Sequence, residues 1–421
     1  MMTTKTKTDR EVTRHHNPTV CIVGGGPAGM ILGYMFARQG ISVTVLEAQK
    51  DFDRDFRGDT IHASIMDNME QLGLAEKLLQ LPHYKIPQLA FGSTPENRVA
   101  LVDFSRLKTH HPYVTVMAQT LFLDLLAKES KQYPNYELIM GANVQELIQE
   151  EGITTGIRYR YSSEAGREWG EVRAQLTVAA DGRASRIRKL AELQPIPTTD
   201  PLEVLWFRFP KIENDPYTGG GGLTTGKRLP IVIIEREDHW QIALVIPDGS
   251  YRGLREEGIE DFQRKFAEDM PAFAERVYQN LDEWDKIAHL QVQGSRLKQW
   301  YLERLLFIGD AAHVMTPVGG VGINYAIQDA IVSANLLSQP LLNGTMKLAD
   351  LARVQKQREW PTRVIQSLQA RVQRGILQPG LRWDQAFEPP RSLRYIPRIP
   401  ILRDIPGRII GMGVRKVTVQ V

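Results

Sequence analysis

The stretch from Val20 to Glu47, VCIVGGGPAGMILGYMFARQGISVTVLE, leaves a chain few ways to fold. A short apolar run, Val20 to Val23, ends in Gly24-Gly25-Gly26-Pro27-Ala28-Gly29. A helical pattern follows through Met30, Ile31, Tyr34 and Met35 and stops near Gly40. A second apolar run, Ile41 to Leu46, then closes on Glu47. Strand, tight turn, helix and strand within about 30 residues make one βαβ unit of a parallel sheet. In such a unit Gly24 makes the turn, Gly26 lets the backbone approach a pyrophosphate, and Gly29 lets helix and strand pack closely. Pro27 and Ala28 open the helix, whose first N–H groups and positive dipole end would meet the phosphates. Glu47 stands where an acid binds the hydroxyls of an adenosine ribose and would repel a 2′-phosphate. FAD and NAD both fit this unit, and NADP does not.

Bulk composition narrows the function classes. The 421 residues are 42% hydrophobic and 24% charged, ordinary for a globular chain. A formal net charge of +3, with basic and acidic residues interspersed, gives no footprint for nucleic acid. The one cysteine, Cys21, sits inside an apolar run and reads as a buried structural thiol. A chain with one cysteine builds no internal disulfide framework, which suits a reducing cytoplasm. No apolar stretch reaches the roughly 18 residues of a membrane span, and the first residues lack the apolar core of a secretory signal. Residues 1–17 read as a disordered lead, with His15 and His16 solvated.

Beyond the βαβ unit a helical segment is expected from Ile65 to Leu79, and several strands from 136 to 180, one alternating as Ile157, Tyr159, Tyr161. A second β-rich block runs from about 203 to 246, with helices around 259 to 280. The glycine-rich TGGGGLTTG, 218–226, lacks the strand and helix of a nucleotide-binding turn and reads as a mobile surface loop. From about 376 the chain is rich in Pro and Arg, and Pro390, Pro397, Pro400 and Pro406 argue against one long helix. A lid packed over the body is the favoured reading of this end. A weak peripheral membrane contact is the other, because Ile and Leu alternate with Arg.

Residues 309–330, GDAAHVMTPVGGVGINYAIQDA, follow an apolar strand pattern, Leu305 to Ile308, and lead into a helical one. A chain using NAD alone has no need for a second glycine-rich loop entering a second helix there. FAD does, because it is long and carries a ribityl chain and a flat ring. Asp310 could accept hydrogen bonds from ribityl hydroxyls. Gly319, Gly320 and Gly322 leave backbone free to lie against the ring. The following helix would aim its positive end at the pyrimidine.

This stretch is similar to the GD-box of the single-component FAD monooxygenases, the flavoprotein aromatic hydroxylases typified by para-hydroxybenzoate hydroxylase. AADGRASRIRK, 179–189, resembles their DG-box, with Asp181, Gly182, Ser185 and Arg188 matching. FRGDTIHAS places Arg57, and MAQTLFLDLLA places Gln119, where the family contacts FAD. QREWPTRVIQ, 357–366, is similar to its long C-terminal helix with an internal proline. The resemblance implies that Glu47 binds the adenosine ribose and that Gly309 and Asp310 hold the ribityl chain. It places the loop of Gly320, Gly322, Ile323 and Asn324 at the pyrimidine edge, and Pro317 beside the reacting carbon. Asp181 would serve both FAD and NAD(P)H.

The implied fold is α/β: a discontinuous Rossmann-like FAD-binding domain (18–85, 113–200 and 295–375), an inserted mixed β-sheet substrate domain (86–112 and 201–294), and a C-terminal segment, 376–421. The implied activity is a monooxygenase in which NAD(P)H, bound transiently, reduces FAD. Oxygen then adds to give a C4a-hydroperoxide that hydroxylates or epoxidises an aromatic or polycyclic small molecule. His62 is a candidate to orient or deprotonate a phenol, against a plain structural role. His313 is expected to hold the GD loop. Trp206, Phe207, Phe209 and Trp240 line either a pocket or a core, and Arg208 faces away from Phe207 and Phe209. No catalytic metal, nucleic acid or second protein is required, and a monomer or homodimer is expected. A geranylgeranyl-reductase-like enzyme and a non-catalytic dinucleotide-binding protein are the alternatives. A halogenase is disfavoured, because WQIALVIP lacks the Trp-x-Trp-x-Ile-Pro signature.

Overall fold

The structure is a computed structural model that describes residues 12–53, 59–91, 99–163, 166–213, 215, 222–225, 230–378 and 399–420. Its centre is a six-stranded sheet in the order Tyr301–Leu302, Leu305–Phe307, Leu176–Ala179, Val20–Val23, Val43–Leu46, Tyr136–Ile139. All neighbours run parallel except the first pair. Its central strands are buried on both faces, as a parallel sheet with two covered sides requires. The period of two decides what each face meets. Val20 and Ile22 face the helices Pro27–Arg38 and Gly322–Leu342, whereas Cys21 and Val23 face a second, four-stranded sheet. Cys21 is fully buried there and its thiol is pushed up by burial, so it is inert packing.

The four-stranded sheet corrects the expected disordered lead at 1–17 for residues 12–16; residues 1–11 lie outside the described residues. Val12–His16 is a strand, paired parallel with Gly166–Arg173. His16 reaches the Glu137 carboxylate at 2.9 Å and lies 3.2 Å from the Tyr159 hydroxyl, so it is not solvated. Ile157, Tyr159 and Tyr161 alternate inward as expected, all nearly or fully buried.

A seven-stranded sheet forms the second layer, with strands from Gln88–Phe91 and Val99–Asp103 joined to others between 202 and 292. One face packs Leu205, Phe207, Phe209, Ile231, Ile233 and Trp240 beneath three helices, Ser250–Glu257, Ile259–Asp269 and Ala274–Asn280. Phe262 and Phe266, spaced four apart, are the helical side of that core, each contributing roughly 2–3 kcal/mol.

Three local readings are revised. The segment from Ile65 to Leu79 is two helices, Ala63–Gln71 and Ala75–Leu79, broken at Gly73 in a left-handed conformation. Within 218–226, Gly222–Thr225 is a strand paired with Pro230–Glu235, and the flanking residues lie outside those described. At the C-terminal end Pro400–Met412 is one helix with Pro406 inside it; 379–398, with Pro390 and Pro397, lie outside the described residues. This helix presses on the strand Val99–Asp103: a Cβ on Gly407 would lie 2.6 Å from the Asp103 carbonyl oxygen. Beyond it the chain is strapped to the body, Asn68 and Asn335 donating to the carbonyls of Val417 and Thr418 at 2.9 and 2.8 Å.

Candidate active site

Register alone gathers the motifs. Val23 pairs with Leu46 and with Ala179, and Ala179 pairs with Phe307. The residues that follow these parallel strands, Gly24, Glu47, Ala180 to Asp181, and Ile308 to Asp310, therefore emerge along one carboxyl edge. Ligands of open α/β sheets bind at such an edge, beside the strand where chain order reverses, here Val20–Val23.

The glycine turn at this edge is built for close approach. Gly24 has φ +109°, and a Cβ there would lie 2.3 Å from the Ala180 carbonyl oxygen. A Cβ on Gly29 would lie 1.9 Å from the Gly24 carbonyl oxygen. Gly26 is the opposite case, with an ordinary backbone and nothing within 4 Å of an added Cβ. The two tight glycines shape the turn, and the open one fronts the cradle. No side chain caps the helix that begins at Pro27, so its first N–H groups, Ala28 and Gly29 among them, are left for an anion. Glu47 is buried and accepts from the backbone N–H of Gly25 at 2.8 Å and of Gln49 at 3.0 Å.

The second loop is pinned by a group that was not singled out in the sequence. Asp329, fully buried in the Gly322–Leu342 helix, accepts from the Gly309 backbone N–H at 3.0 Å, from His313 Nε2 at 2.6 Å and from Arg358 Nε at 2.7 Å. Burial alone would raise its carboxyl; His313 and Arg358 outweigh burial and hold it below the ordinary range. Asp329 is the one charged residue between Ile323 and Leu342, a signal that was there to be read. Arg358 gives no such signal in a charged stretch. Gln366 and Gln369 of the same long helix, Leu348–Val372, bond the carbonyls of Val314, Thr316 and Val318 and fix the loop's outer side.

Gly319 and Gly320 both take left-handed conformations, φ +79° and +62°, in the turn that begins at the exposed Pro317. The helix starts at Gly322, so Gly322, Ile323 and Asn324 form its first turn. Thr60 Oγ1 and Asn324 Nδ2 both donate to the Gly320 carbonyl, at 3.0 and 3.1 Å, and Asn324 Oδ1 accepts from the His62 backbone at 2.8 Å.

His62 is buried with its Nδ1 2.7 Å from the carbonyl oxygen of Ile410. A carbonyl only accepts, so Nδ1 carries the proton and Nε2 holds the lone pair. Nε2 lies toward Gly320, 3.7 Å from where a Cβ there would stand. Burial pushes the imidazole down to about 4, with the Ile410 bond partly opposing it. Its folded pKa lies below the ordinary 6.5, so the unfolded chain binds the extra proton between those values. Stability then falls as pH drops from about 6.5 to 4, by about 3 kcal/mol from this residue. Urea midpoints across that window should fall less steeply for His62→Gln than for the unaltered protein; equal slopes would contradict the assignment.

The DG-box and GD-box are tied to each other. Asp181 accepts from Ser185 Oγ at 2.6 Å and from the Ile187 N–H at 3.0 Å, and Ser185 caps the short helix Arg186–Leu190 by accepting from the Arg188 N–H at 3.0 Å. Arg188 reaches from that helix to the carbonyl of Ala311 at 3.0 Å and of Arg183 at 2.6 Å. Gln119 opens the helix Gln119–Ser130 and its backbone N–H faces Asp59. Arg57 lies outside the described residues.

Across from the His62 segment stands the second face of the seven-stranded sheet. Trp206, Ala243 and Val232 form one cross-strand row, and Arg208, Gln241 and Ile234 the next. Phe207, Phe209 and Trp240 point the other way and are fully buried core, leaving Trp206 as the aromatic on this face. Ile234 and Ile410 pack in one cluster around Phe104, and Arg236 bridges from the sheet to Asp59, beside Thr60. The sheet thus meets the segment Asp59–His62 that holds the Gly320 turn.

Residues 17–360 match the family described as FAD binding domain. The chain belongs to the FAD-dependent aromatic hydroxylases. This flavoprotein is 28% identical over 394 residues to 6-methylpretetramide 4-monooxygenase of Streptomyces rimosus, covering 93% of this chain and 91% of that one. It is 27% identical over 327 residues to rifampicin monooxygenase of Streptomyces venezuelae, 74% of this chain but only 62% of that longer protein. Among solved structures, p-nitrophenol 4-monooxygenase PnpA of Pseudomonas putida DLL-E4 superposes with a TM-score of 0.72 at 19% identity, covering 94% of this chain and 95% of that one. The fold is the α/β FAD-monooxygenase fold: a Rossmann-like FAD-binding part, a mixed β-sheet and a C-terminal helical segment. Among the described residues no group of His, Cys, Asp and Glu is placed to hold a metal ion, and no helix is long and apolar enough to cross a membrane.

Proposed function

We propose that this flavoprotein uses NAD(P)H and O2 to insert one oxygen atom into a planar aromatic or polycyclic molecule, held between the seven-stranded sheet and the wall formed by His62 and Gly320. The segments 86–112 and 201–294 act as the substrate domain. The observation that carries the reading is His62: a buried, neutral imidazole whose proton is held on Nδ1 by Ile410, leaving one acceptor beside the Gly319–Gly320 turn. The relatives point to the same substrate class, since their names include 6-methylpretetramide, rifampicin and para-nitrophenol monooxygenases.

The residues fit FAD. The open face of Gly26, the uncapped helix start at Pro27 and Ala28, and Gly29 packed beneath them suit a pyrophosphate. Glu47, already holding Gly25, would hold the adenosine ribose, and Gly309 and Asp310 would hold the ribityl chain. Gly320, Gly322, Ile323 and Asn324 would hold the pyrimidine end and Pro317 would lie beside it; Gln119 and Asp181 would add cofactor contacts, a role also proposed for Arg57, which lies outside the described residues. When bound, FAD would supply the redox chemistry between NAD(P)H and O2. NAD(P)H binds transiently.

His62 Nε2 accepts a hydrogen bond from a substrate hydroxyl and so aims one ring carbon at the reacting edge. Raising electron density on that hydroxyl oxygen activates the positions ortho and para to it. The apolar row of Trp206, Ala243 and Val232 supports the rings and keeps water out. His62→Asn keeps a donor for Ile410 but removes the distal acceptor, whereas His62→Gln restores an acceptor near Nε2. The Asn variant should lose about 100-fold in kcat at unchanged flavin content, and the Gln variant should recover part of it. Rates unchanged from the unaltered protein in both would remove His62 from the mechanism.

A further inference from the structure

The Pro400–Met412 helix has two unlike sides. Its inner side is made close by glycine: a Cβ on Gly411 would lie 2.6 Å from Leu107 and 3.0 Å from Phe104. From this side Ile410 offers its carbonyl to His62. The outer side leaves Ile399, Leu402 and Ile405 uncovered, at 42%, 41% and 44% exposure. Spaced three apart, they form one stripe. Of eight large hydrophobics exposed among the described residues, these three fall within seven positions.

Charge singles out the same end of the chain. Residues 389–421 hold seven Arg and Lys against one acid, Asp404, a net of +6 in a chain whose total is +3, so residues 1–388 carry −3. Asp404 is itself paired, with Arg106 at 2.7 Å and Arg403 at 3.7 Å. Arg408, Arg415 and Lys416 are exposed.

We propose that this helix seats the protein on an anionic membrane surface, with Ile399, Leu402 and Ile405 in the headgroup layer and Arg408, Arg415 and Lys416 against lipid phosphates. A short apolar stripe within a basic segment is the pattern of an interfacial helix. Three half-exposed side chains fall far short of the roughly 800 Å² per partner that a stable protein interface buries. The helix that meets the lipid also holds His62, so an apolar polycyclic substrate dissolved in the membrane reaches the site at the element that walls it. That last consequence rests on the proposed function; the membrane contact does not.

The test is flotation of the purified, FAD-loaded protein with vesicles of phosphatidylcholine alone or mixed with phosphatidylglycerol, at low and high salt, without substrate. Binding to the mixed vesicles, lost at high salt and weakened about fivefold or more in Arg408→Glu, supports the proposal. The double variant Leu402→Ser, Ile405→Ser should also lose binding while keeping its flavin spectrum. No binding to either vesicle overturns it, as does equal binding to both. Concentration-dependent dimerisation that disappears in the double variant would assign the stripe to a second copy instead. Because vesicle binding is read without turnover, failure here leaves the monooxygenase reading standing, and failure of turnover leaves this one standing.

Discussion

Asp329→Asn should cost about 3–5 kcal/mol of stability and most of the bound FAD. Asp329 is fully buried and is the anion shared by His313 and Arg358, and Arg358 is fully buried as well. Asparagine keeps one acceptor oxygen but no charge, which leaves the Arg358 guanidinium in the interior with its countercharge removed. The same change loosens Gly309, whose N–H is held by Asp329, and with it the loop that carries Asp310. Because the Asp329 carboxyl lies below the ordinary range, its contribution is complete above about pH 4 and is lost as pH falls through the folded value. Urea unfolding at neutral pH and flavin content after desalting check both effects. A stability within about 1 kcal/mol of the unaltered protein would show that the cluster does not hold the loop.

Gly26→Val should separate folding from cofactor binding. Gly26 has φ −75° and ψ −179°, a backbone any residue adopts, and an added Cβ meets no protein atom. The variant should fold with nearly unchanged stability yet bind FAD about 100-fold more weakly, about 2.7 kcal/mol, because the new side chain fills the cradle. Gly29→Ala is the contrast: its Cβ would collide with the Gly24 carbonyl, so turn and fold suffer together. Flavin titration and thermal melting of the two variants distinguish the cases. Full FAD affinity in Gly26→Val would place the pyrophosphate elsewhere.

What could be read from the sequence was what is local. Gly24, Gly26, Gly29 and Glu47 lie within one βαβ unit, where spacing along the chain is spacing in the fold. The GD loop was legible for the same reason, up to the strand before it and the helix after it. The pairing that brings the two loops to one edge depends on strands more than a hundred residues apart, and only the family resemblance anticipated it. Asp329 could have been found as a lone charge in an apolar helix, but its partner Arg358 sits in a charged stretch that gives nothing away. Ile410 could not have been found: an ordinary apolar side chain contributes through its backbone carbonyl to a histidine 348 residues earlier. Val12–His16 misled because its residues are mostly polar; its pairing with Gly166–Arg173 makes it a strand. Gly222–Thr225 misled because its glycine-rich setting hides a strand that cross-strand pairing stabilises.

Oxygen transfer is tested most directly by following the oxygen atom. The purified protein, loaded with FAD, is given NADH or NADPH, a panel of phenols and polycyclic aromatics, and isotopically labelled O2. One aromatic class should stimulate nicotinamide oxidation and oxygen uptake together, and its product should carry one labelled oxygen atom. Nicotinamide oxidation that yields a saturated product without label, or no substrate-stimulated oxygen uptake with any member of the panel, would contradict it.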